Sequence, residues 1–270
     1  MALDRTQVEA AATALDTAER TRTQTRLLSL QYPQMEMEDA YAIQAEWMNL
    51  KMAAGRSIIG RKIGLTSKAM QMALNIDIPD SGVLLDDMRF ADGAQIPRNR
   101  FIQPRIEAEI AFVMKDELRG SGITQFDVLN ATDYICPALE ILDTRILRAD
   151  PDTGQARNVY DTISDNAANA GIVMGGRPLR PNEADMRWIG AIVSRNAEIV
   201  ETGLGAAVLN HPATGVAWLA NRLAQYGEGV GAGEVVLSGS FIRPIEATPG
   251  STIMADYGPF GTVSCHFMAE

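Results

Sequence analysis

Hydrophobic and polar residues alternate most regularly in residues 103–113, which read QPRIEAEIAFV. The apolar positions are Ile106, Ala108, Ile110 and Phe112, and the polar positions between them are Arg105, Glu107 and Glu109. Strict alternation of this length predicts a β-strand with one buried face. Because side chains two residues apart project from the same side of a strand, the carboxylates of Glu107 and Glu109 share a face, about 6.5 Å apart along the chain.

A helical period dominates the first 75 residues. The clearest apolar stripe consists of Ala40, Ile43, Trp47, Leu50 and Ala54. Gly55 follows where a helix commonly ends on a glycine. Residues 6–30 carry a weaker stripe, which predicts an amphipathic arm, and a short helix containing Met70 and Leu74 is expected to follow.

After Pro79 the pattern changes to short apolar runs separated by Gly, Pro and Asp, which is typical of a β-rich region. A hairpin is predicted with Asn196 and Ala197 at its turn, and a late helix is predicted between Pro212 and Gly227. Four strands are expected in the C-terminal segment. The pattern indicates an α+β protein, with a helical N-terminal cap over residues 1–78 and a β-rich domain over residues 79–270.

Composition narrows the classes of partner. The chain has 24 basic and 34 acidic residues and a net charge of −10. An acidic surface argues against nucleic acid and anionic membranes as partners. The N-terminus lacks the apolar core of a signal peptide, and no uninterrupted apolar run is long enough to cross a bilayer. We therefore expect a cytoplasmic protein with a small-molecule substrate.

Few residues are available for metal binding through nitrogen or sulfur. His211 and His266 are far apart in the sequence, and Cys136 and Cys265 are each isolated. These spacings match no zinc motif, and nucleotide-binding glycine motifs are missing. A metal in this protein would be bound by oxygen.

Glu140 is the carboxylate in the most apolar setting, PALEILD, where an unpaired charge is costly to bury. Together with Glu107 and Glu109 it would make an oxygen site suited to Mg²⁺ or Mn²⁺. Alternation alone favours a different interpretation, in which Glu107 and Glu109 lie on a solvated face and pair with Arg105.

Two further groups have alternative interpretations. Lys62, in GRKIGLTS, is either a solvated lysine or a partly desolvated acid–base or carboxylate-binding group. Ser164 and Asp165, in ISDNAANAG, either line a pocket or form a capped turn.

Several stretches occur in order that resemble the 2-keto-4-pentenoate hydratase branch of the fumarylacetoacetate hydrolase superfamily. They are GRKIGLTSKAMQ, QPRIEAEIAFV, DYICPALEILDTR, SDNAANAGIVMGG, VLNHPATGVAWLANRLA and LSGSFIRP. The resemblance runs from about residue 15 to the C-terminus. It implies a mixed, barrel-like β-sheet in the second region and a homo-oligomer, which is expected to be of high order.

The resemblance also implies roles for individual residues. Glu107, Glu109 and Glu140 would bind Mg²⁺ or Mn²⁺, and Lys62 and Asp165 would be catalytic. Substrate-binding roles would fall to Asp80, Arg105 and Ser164. The family motif Pro-Asp-Tyr-Gly reads PDSG here, so Ser81 replaces the tyrosine and its hydroxyl is not to be assumed.

The implied reaction is metal-dependent addition of water to 2-oxohept-4-ene-1,7-dioate, through its dienol and enone tautomers, to give 4-hydroxy-2-oxoheptanedioate in homoprotocatechuate breakdown. A diacid needs a counter-charge for its distal carboxylate, and the candidates are Arg61, Arg105 and Arg145. Alternatives are hydration of 2-hydroxypenta-2,4-dienoate, decarboxylation of a 2-oxo-enedioate such as 4-oxalocrotonate, and an inert relative that serves as a partner subunit.

Overall fold

The computed structural model describes residues 1–67, 71–72 and 78–270. The short helix predicted around Met70 and Leu74 lies outside these residues. The helices are α1 (Arg5–Thr21), α2 (Leu28–Gln31), α3 (Met37–Ala53), α4 (Gln125–Ala131), α5 (Val159–Ser164) and α6 (Pro212–Ala224).

The strands between them are mostly short. They are β1 (Ile58–Gly64), β2 (Asp80–Leu85), β3 (Arg89–Phe90), β4 (Ala94–Ile96), β5 (Arg105–Met114), β6 (Leu118–Arg119), β7 (Thr132–Leu142), β8 (Asn169–Met174), β9 (Gly190–Arg195), β10 (Glu198–Leu204), β11 (Gly229–Val230), β12 (Val235–Leu237), β13 (Ile245–Glu246), β14 (Thr252–Asp256) and β15 (Thr262–Phe267).

In the part of the chain that the structure describes, these strands form three sheets. The largest has eight strands in the order β2-β1-β12-β5-β7-β8-β3, with β13 paired to one end of β5. The second has five strands in the order β10-β9-β14-β15-β4, and a small ribbon joins β11 to β6. Parallel and antiparallel pairs occur in the two larger sheets, which confirms the predicted mixed α+β architecture.

Several predicted elements are confirmed. Ala40, Ile43 and Trp47 of α3 are fully buried, and Gly55 follows the helix with a φ of +93°. The hairpin β9–β10 turns at Asn196 and Ala197, both with positive φ as a tight type I′ turn requires. The late helix and the four C-terminal strands are present, although β12 and β13 are very short.

The helical interpretation is wrong for residues 58–64. They form strand β1, which pairs with β12 in parallel and with β2 antiparallel. Three isoleucines in IIGRKIG favour a strand, because branched side chains suit a pleated surface. Lys62 therefore lies inside the main sheet, and residues of the predicted cap contribute to the β-rich layer. A domain boundary near residue 78 stays a prediction.

Strand β5 is buried on both faces. Ile106, Ile110 and Phe112 point into the main hydrophobic core as predicted, and each stabilises the fold by about 1.5–3 kcal/mol. On the other face Glu109 is also completely buried, so this side is not the solvated surface that alternation favoured.

The N-terminal helices cover the edge of the main sheet through a second core. Trp47 of α3 lies in it, and the guanidinium of Arg145 stacks on the Trp47 ring at 5.0 Å from the centroid. None of the described helices is both long enough and apolar enough to cross a lipid bilayer.

Candidate metal centre and substrate cavity

Strands β5 and β7 bring three carboxylates to one point. Glu107 is directly opposite Glu140 in the antiparallel register, and Glu109 follows two residues later on the same face of β5. One carboxylate oxygen from each of the three side chains lies within 4.8 Å of the other two. The two-residue spacing in β5 and the cross-strand pairing thus convert a sequence pattern into a cluster.

The cluster is buried and short of hydrogen bonds. Glu109 and Glu140 are fully buried, whereas Glu107 is partly exposed. Among the described residues, Oε1 of Glu109 and both carboxylate oxygens of Glu140 have no hydrogen-bond partner. Oxygen atoms left this way carry a substantial desolvation penalty, which a divalent cation would remove. The donor set fits Mg²⁺ or Mn²⁺, which prefer oxygen ligands.

Burial and mutual repulsion raise the pKa values of all three carboxyl groups. Desolvation is the largest cause in each case, and the charge of Glu140 adds to it at Glu107 and Glu109. The pKa of Glu107 rises to about 8. Without a cation the protein therefore holds protons here at neutral pH, so the binding of a metal must displace them.

Lys62 supplies the nearest positive charge. Its Nζ lies 3.4 Å from Oε1 of Glu140, and the side chain is almost fully buried. Burial disfavours the ammonium, but the carboxylates of Glu140, Asp80 and the β5 pair outweigh it and raise the Lys62 pKa. Lys62 is therefore a charged group at neutral pH, and not the solvated lysine of the alternative interpretation.

Asp80, at the start of β2, completes the charged group. Burial raises its pKa and the Lys62 ammonium partly offsets that rise. Both side chains pack against the α-carbon of Gly64, where an added Cβ would lie 2.2 Å from Oδ1 of Asp80 and 3.0 Å from Nζ of Lys62. Glycine is required at this position because the two functional groups occupy the space of a side chain.

Backbone contacts from the C-terminal region hold the ligand strands. The Gly239 N–H donates to Oε2 of Glu109 at 2.7 Å. The hydroxyl of Tyr257 lies 2.9 Å from the carbonyl oxygen of Glu109 and 2.8 Å from that of Ala138, so it bridges β5 and β7. Neither residue was singled out from the sequence, because their contacts depend on tertiary pairing.

A cavity of about 660 Å³ opens beyond the end of β5. Its lining includes Leu65, which follows β1, and Arg105, which is two residues before Glu107. Arg148 and Arg157 also line it. The volume falls in the range of pockets for small molecules. The cavity therefore lies at the ends of β5 and β7, two residues from Glu107 and Glu140, and has three arginines in its lining.

No family model matches the chain. Among curated relatives, 2-oxo-hept-4-ene-1,7-dioate hydratase of Escherichia coli is 58% identical over 254 residues, which cover 94% of this chain and 95% of the relative. The 2-keto-4-pentenoate hydratase of Paraburkholderia xenovorans is 40% identical over 87% of the chain and 86% of the relative. The chain belongs to the family of the 2-keto-4-pentenoate hydratases, the branch that its sequence resembles.

Solved structures agree with membership of this branch. The 4-oxalocrotonate decarboxylase from Pseudomonas putida G7, complexed with magnesium and adipate, is 36% identical with a TM-score of 0.93, and the match covers 98% of this chain and 99% of that one. A fumarylpyruvate hydrolase from Pseudomonas aeruginosa in complex with Mn²⁺ and pyruvate is 11% identical with a TM-score of 0.59, over 78% of this chain and 89% of that one. The second match shows the shared fold alone.

In this branch member the candidate residues do not all converge. Asp165 is fully buried, and both its oxygens accept from Arg145: Oδ1 from Nε at 2.5 Å and Oδ2 from the backbone N–H at 2.9 Å. Ser164 is buried with its hydroxyl unpaired among the described residues and does not line the cavity. The structure brings together Lys62 and Asp80 with the three glutamates, whereas Asp165 forms a separate ion pair.

The three candidate arginines also separate. Arg61 projects from the opposite face of β1 to Lys62, and its Nη2 lies 3.2 Å from Oε2 of Glu228. Arg145 is held by Asp165, so its charge is already paired. Arg105 lines the cavity and lies 3.3 Å from Glu246. Of the three, only Arg105 faces the space that a substrate would occupy.

Arg148 and Arg157 were missed from the sequence. They flank a short turn in the stretch R-A-D-P-D-T-G-Q-A-R. The sequence Asp-Pro-Asp-Thr-Gly predicts a turn, and a turn would bring the two flanking arginines close together. Only the fold shows that they face a cavity.

Proposed function

We propose that this protein is a divalent-metal-dependent hydratase that adds water to 2-oxohept-4-ene-1,7-dioate and forms 4-hydroxy-2-oxoheptanedioate. The observation that carries the proposal is the cluster of Glu107, Glu109 and Glu140, in which three buried oxygens, Oε1 of Glu109 and both of Glu140, have no hydrogen-bond partner among the described residues. The identity of 58% to a relative named for this reaction supports the choice of substrate. The reaction would serve the breakdown of an aromatic compound.

Glu107, Glu109 and Glu140 would hold Mg²⁺ or Mn²⁺. When bound, the cation would act as a Lewis acid that stabilises negative charge on the 2-oxo group while the dienol and enone tautomers interconvert. The choice between the two metals rests on their shared preference for oxygen ligands and stays open to measurement.

Lys62 is the proposed proton-transfer residue. Its ammonium is buried beside the carboxylate cluster and keeps its proton at neutral pH. Hydration adds a hydroxyl at C4 and a proton at C3, so a proton donor must be positioned in the site. Asp80 is the proposed partner that binds substrate and exchanges protons with Lys62, because its Oδ1 has no hydrogen-bond partner among the described residues.

Asp165 is assigned a positioning role in this proposal. Its carboxylate is fully buried, and both of its oxygens accept hydrogen bonds from Arg145, one from the guanidinium and one from the backbone N–H. A group held by two hydrogen bonds to Arg145 is poorly placed to exchange protons with a substrate. Its contribution would be to fix Arg145, which is next in sequence to the cavity-lining Thr144, against Trp47.

The test is incubation of the purified chain with 2-hydroxyhepta-2,4-diene-1,7-dioate and Mg²⁺, with dienol absorbance followed and the product identified by mass. We expect a product that has gained one water, no reaction in EDTA, and no reaction by Glu140→Gln. Release of CO₂ with no hydrated product would assign the protein to the decarboxylases of the branch and contradict the proposal. A homo-oligomeric state and a cytoplasmic location stay predictions.

A further inference from the structure

Two arginines face each other across a short hairpin. Residues 148–157 form this hairpin, in which Ala149 pairs with Ala156 and the Arg157 N–H donates to the carbonyl oxygen of Arg148 at 2.9 Å. Asp150 caps the turn through the N–H groups of Asp152 and Thr153. The two guanidinium-bearing side chains are thus direct cross-strand neighbours.

Like charges opposite each other are destabilising unless an opposite charge separates them. Among the described residues neither Arg148 nor Arg157 has a carboxylate within ion-pair distance, and the Nε of Arg148 is buried without a partner. The neighbouring carboxylates are engaged elsewhere. Asp143 accepts the N–H groups of Ile102 and Gln103, and Asp161 accepts from Ser29 and Asn158.

The Arg157 head is held in place without being neutralised. Its Nη1 donates to Oγ1 of Thr144 at 2.6 Å, and Thr144 is itself buried. Burial and the charges of Arg145 and Arg105 lower the Arg157 pKa, whereas Asp165 opposes that change. A pre-positioned cation in a cavity, unpaired and next to other cations, is the arrangement expected of an anion site.

The cavity joins this pair to the strand that carries two of the clustered carboxylates. Arg148 and Arg157 lie in its lining together with Arg105, which is joined to Glu107 by β5. A ligand in this cavity with one end beside Arg105, next to Glu107, would therefore have the arginine pair available to its other end. A 2-oxo dicarboxylate has this form, with an anionic end at each side of the chain.

We propose that Arg157, with Arg148 opposite it, binds the distal carboxylate of the substrate and selects dicarboxylates over monocarboxylates. This rests on the proposed function for the identity of the reacting end, and it deepens it by assigning the specificity residue. Arg61 and Arg145, whose charges are paired elsewhere, have no part in it.

Two pairs of ligands test the proposal. Turnover is compared for 2-hydroxyhepta-2,4-diene-1,7-dioate and 2-hydroxypenta-2,4-dienoate, which lacks the distal carboxylate. Binding with Mg²⁺ present is compared by calorimetry for 2-oxoheptanedioate and 2-oxopentanoate. For Arg157→Gln we expect kcat/KM and affinity for the dicarboxylates to fall about 100-fold, with less than about threefold change for the monocarboxylates.

Arg157→Lys, which keeps the charge but not the planar fork, should recover part of the loss. The exposed Arg119→Gln serves as the control for removal of one positive charge. The Tm of ligand-free Arg157→Gln should not be lower than that of the wild type, since the substitution relieves repulsion from Arg148. A drop in stability with equal loss for both ligand classes would show a structural role and overturn the proposal, as would unchanged selectivity.

Failure of the proposed function gives a different result. If the wild-type chain adds water to neither dienoate, but its binding of 2-oxoheptanedioate still depends on Arg157, only the hydratase assignment is wrong. If the wild type adds water and Arg157→Gln has wild-type kcat/KM and affinity for both ligand classes, only the specificity assignment is wrong.

Discussion

The Nζ of Lys62 and Oε1 of Glu140 lie 3.4 Å apart in a part of the main sheet from which solvent is excluded. This pair links two roles, because Glu140 belongs to the carboxylate cluster and Lys62 adjoins it with a transferable proton. Four carboxylates, counting Asp80, surround one ammonium. If all five groups are ionised the net charge is −3, and a divalent cation bound there would offset most of it.

Lys62→Met should abolish turnover while metal binding is kept. We expect kcat to fall about 10²- to 10⁴-fold, the usual range for loss of a positioned acid–base group. Mg²⁺ affinity, measured by calorimetry, should stay the same or rise, since a competing positive charge has gone. Lys115→Met, at an exposed position, is the control. Equal loss of metal binding and turnover in Lys62→Met would mean that the lysine only maintains the site.

Glu109→Gln should change metal affinity and metal-free stability in opposite directions. The amide can still accept the Gly239 N–H, so the local backbone contact is kept. Mg²⁺ affinity should fall at least about 100-fold, because loss of a direct ligand exceeds the effect of losing an outer-shell contact. Without metal, the free energy of unfolding should rise by about 1–3 kcal/mol, because folding no longer has to bury or protonate a carboxyl group that is ionised in the unfolded chain.

Chemical denaturation with EDTA measures that stability, and Glu117→Gln at an exposed position is the matched control. A metal-free Glu109→Gln protein that is less stable than the wild type would contradict the view that repulsion within the cluster is unrelieved.

The stability of the metal-free protein should fall as pH rises. The Glu107 pKa is raised from an ordinary value of 4.5 to about 8, so between these values the folded protein binds more protons than the unfolded chain. In EDTA the Tm should therefore decrease from pH 5 to pH 8. The increase in Tm on adding Mg²⁺ should grow over the same range, and Glu107→Gln should flatten both trends. A Tm in EDTA that peaks at pH 8 would refute this linkage.

Gly64→Ala should impair catalysis more than folding. The new Cβ would displace Asp80 and Lys62, whose functional atoms occupy that space. Overpacking of this kind costs about 1–3 kcal/mol. We expect a folded protein with kcat reduced at least about tenfold, because small displacements of catalytic groups are costly. Gly231→Ala, where the nearest atoms belong to a flexible glutamate, is the control and should behave as the wild type.

Arg145→Met should be strongly destabilising, and addition of Asp165→Asn should recover part of the loss. Removal of one partner leaves an unpaired buried carboxylate, which costs about 3–5 kcal/mol. The double variant removes that charge, so the two effects should not add. Urea denaturation of the single and double variants measures the coupling. A large loss of kcat in Asp165→Asn, with little change in its free energy of unfolding, would favour the proton-relay role expected from the resemblance.

The local pattern of apolar and polar residues predicted much of the fold. Alternation predicted β5, and the helical stripe predicted α3, because both signals report one buried face against a polar one. Alternation predicted a solvated face at Glu109, but both faces of this strand are buried, and the polar residues on the second face are buried as well. Strand β1 was missed for a related reason, because the charges of Arg61 and Lys62 interrupt the apolar pattern that would indicate a buried strand.

The site was predictable to the extent that its residues are close in sequence or share a recognisable motif. Glu107 and Glu109 are two residues apart, and Glu140 joins them through a register that the sequence does not display. Asp165 was recognised as part of a motif, but its pairing with Arg145 is a tertiary fact. Arg157 depends on the path of an irregular connection, for which periodicity gives no information.

The arginine pair is carried by a hairpin outside the regular strands, whereas the carboxylates belong to β5 and β7 themselves. If the pair binds the far end of the substrate as proposed, that recognition is structurally separate from the strands that carry the carboxylates. A graft of a hairpin without these arginines should convert the protein to shorter monocarboxylates without redesign of the sheet. Substrates of different length could then be accommodated by changes in this one hairpin, with the side chains on β5 and β7 left unchanged.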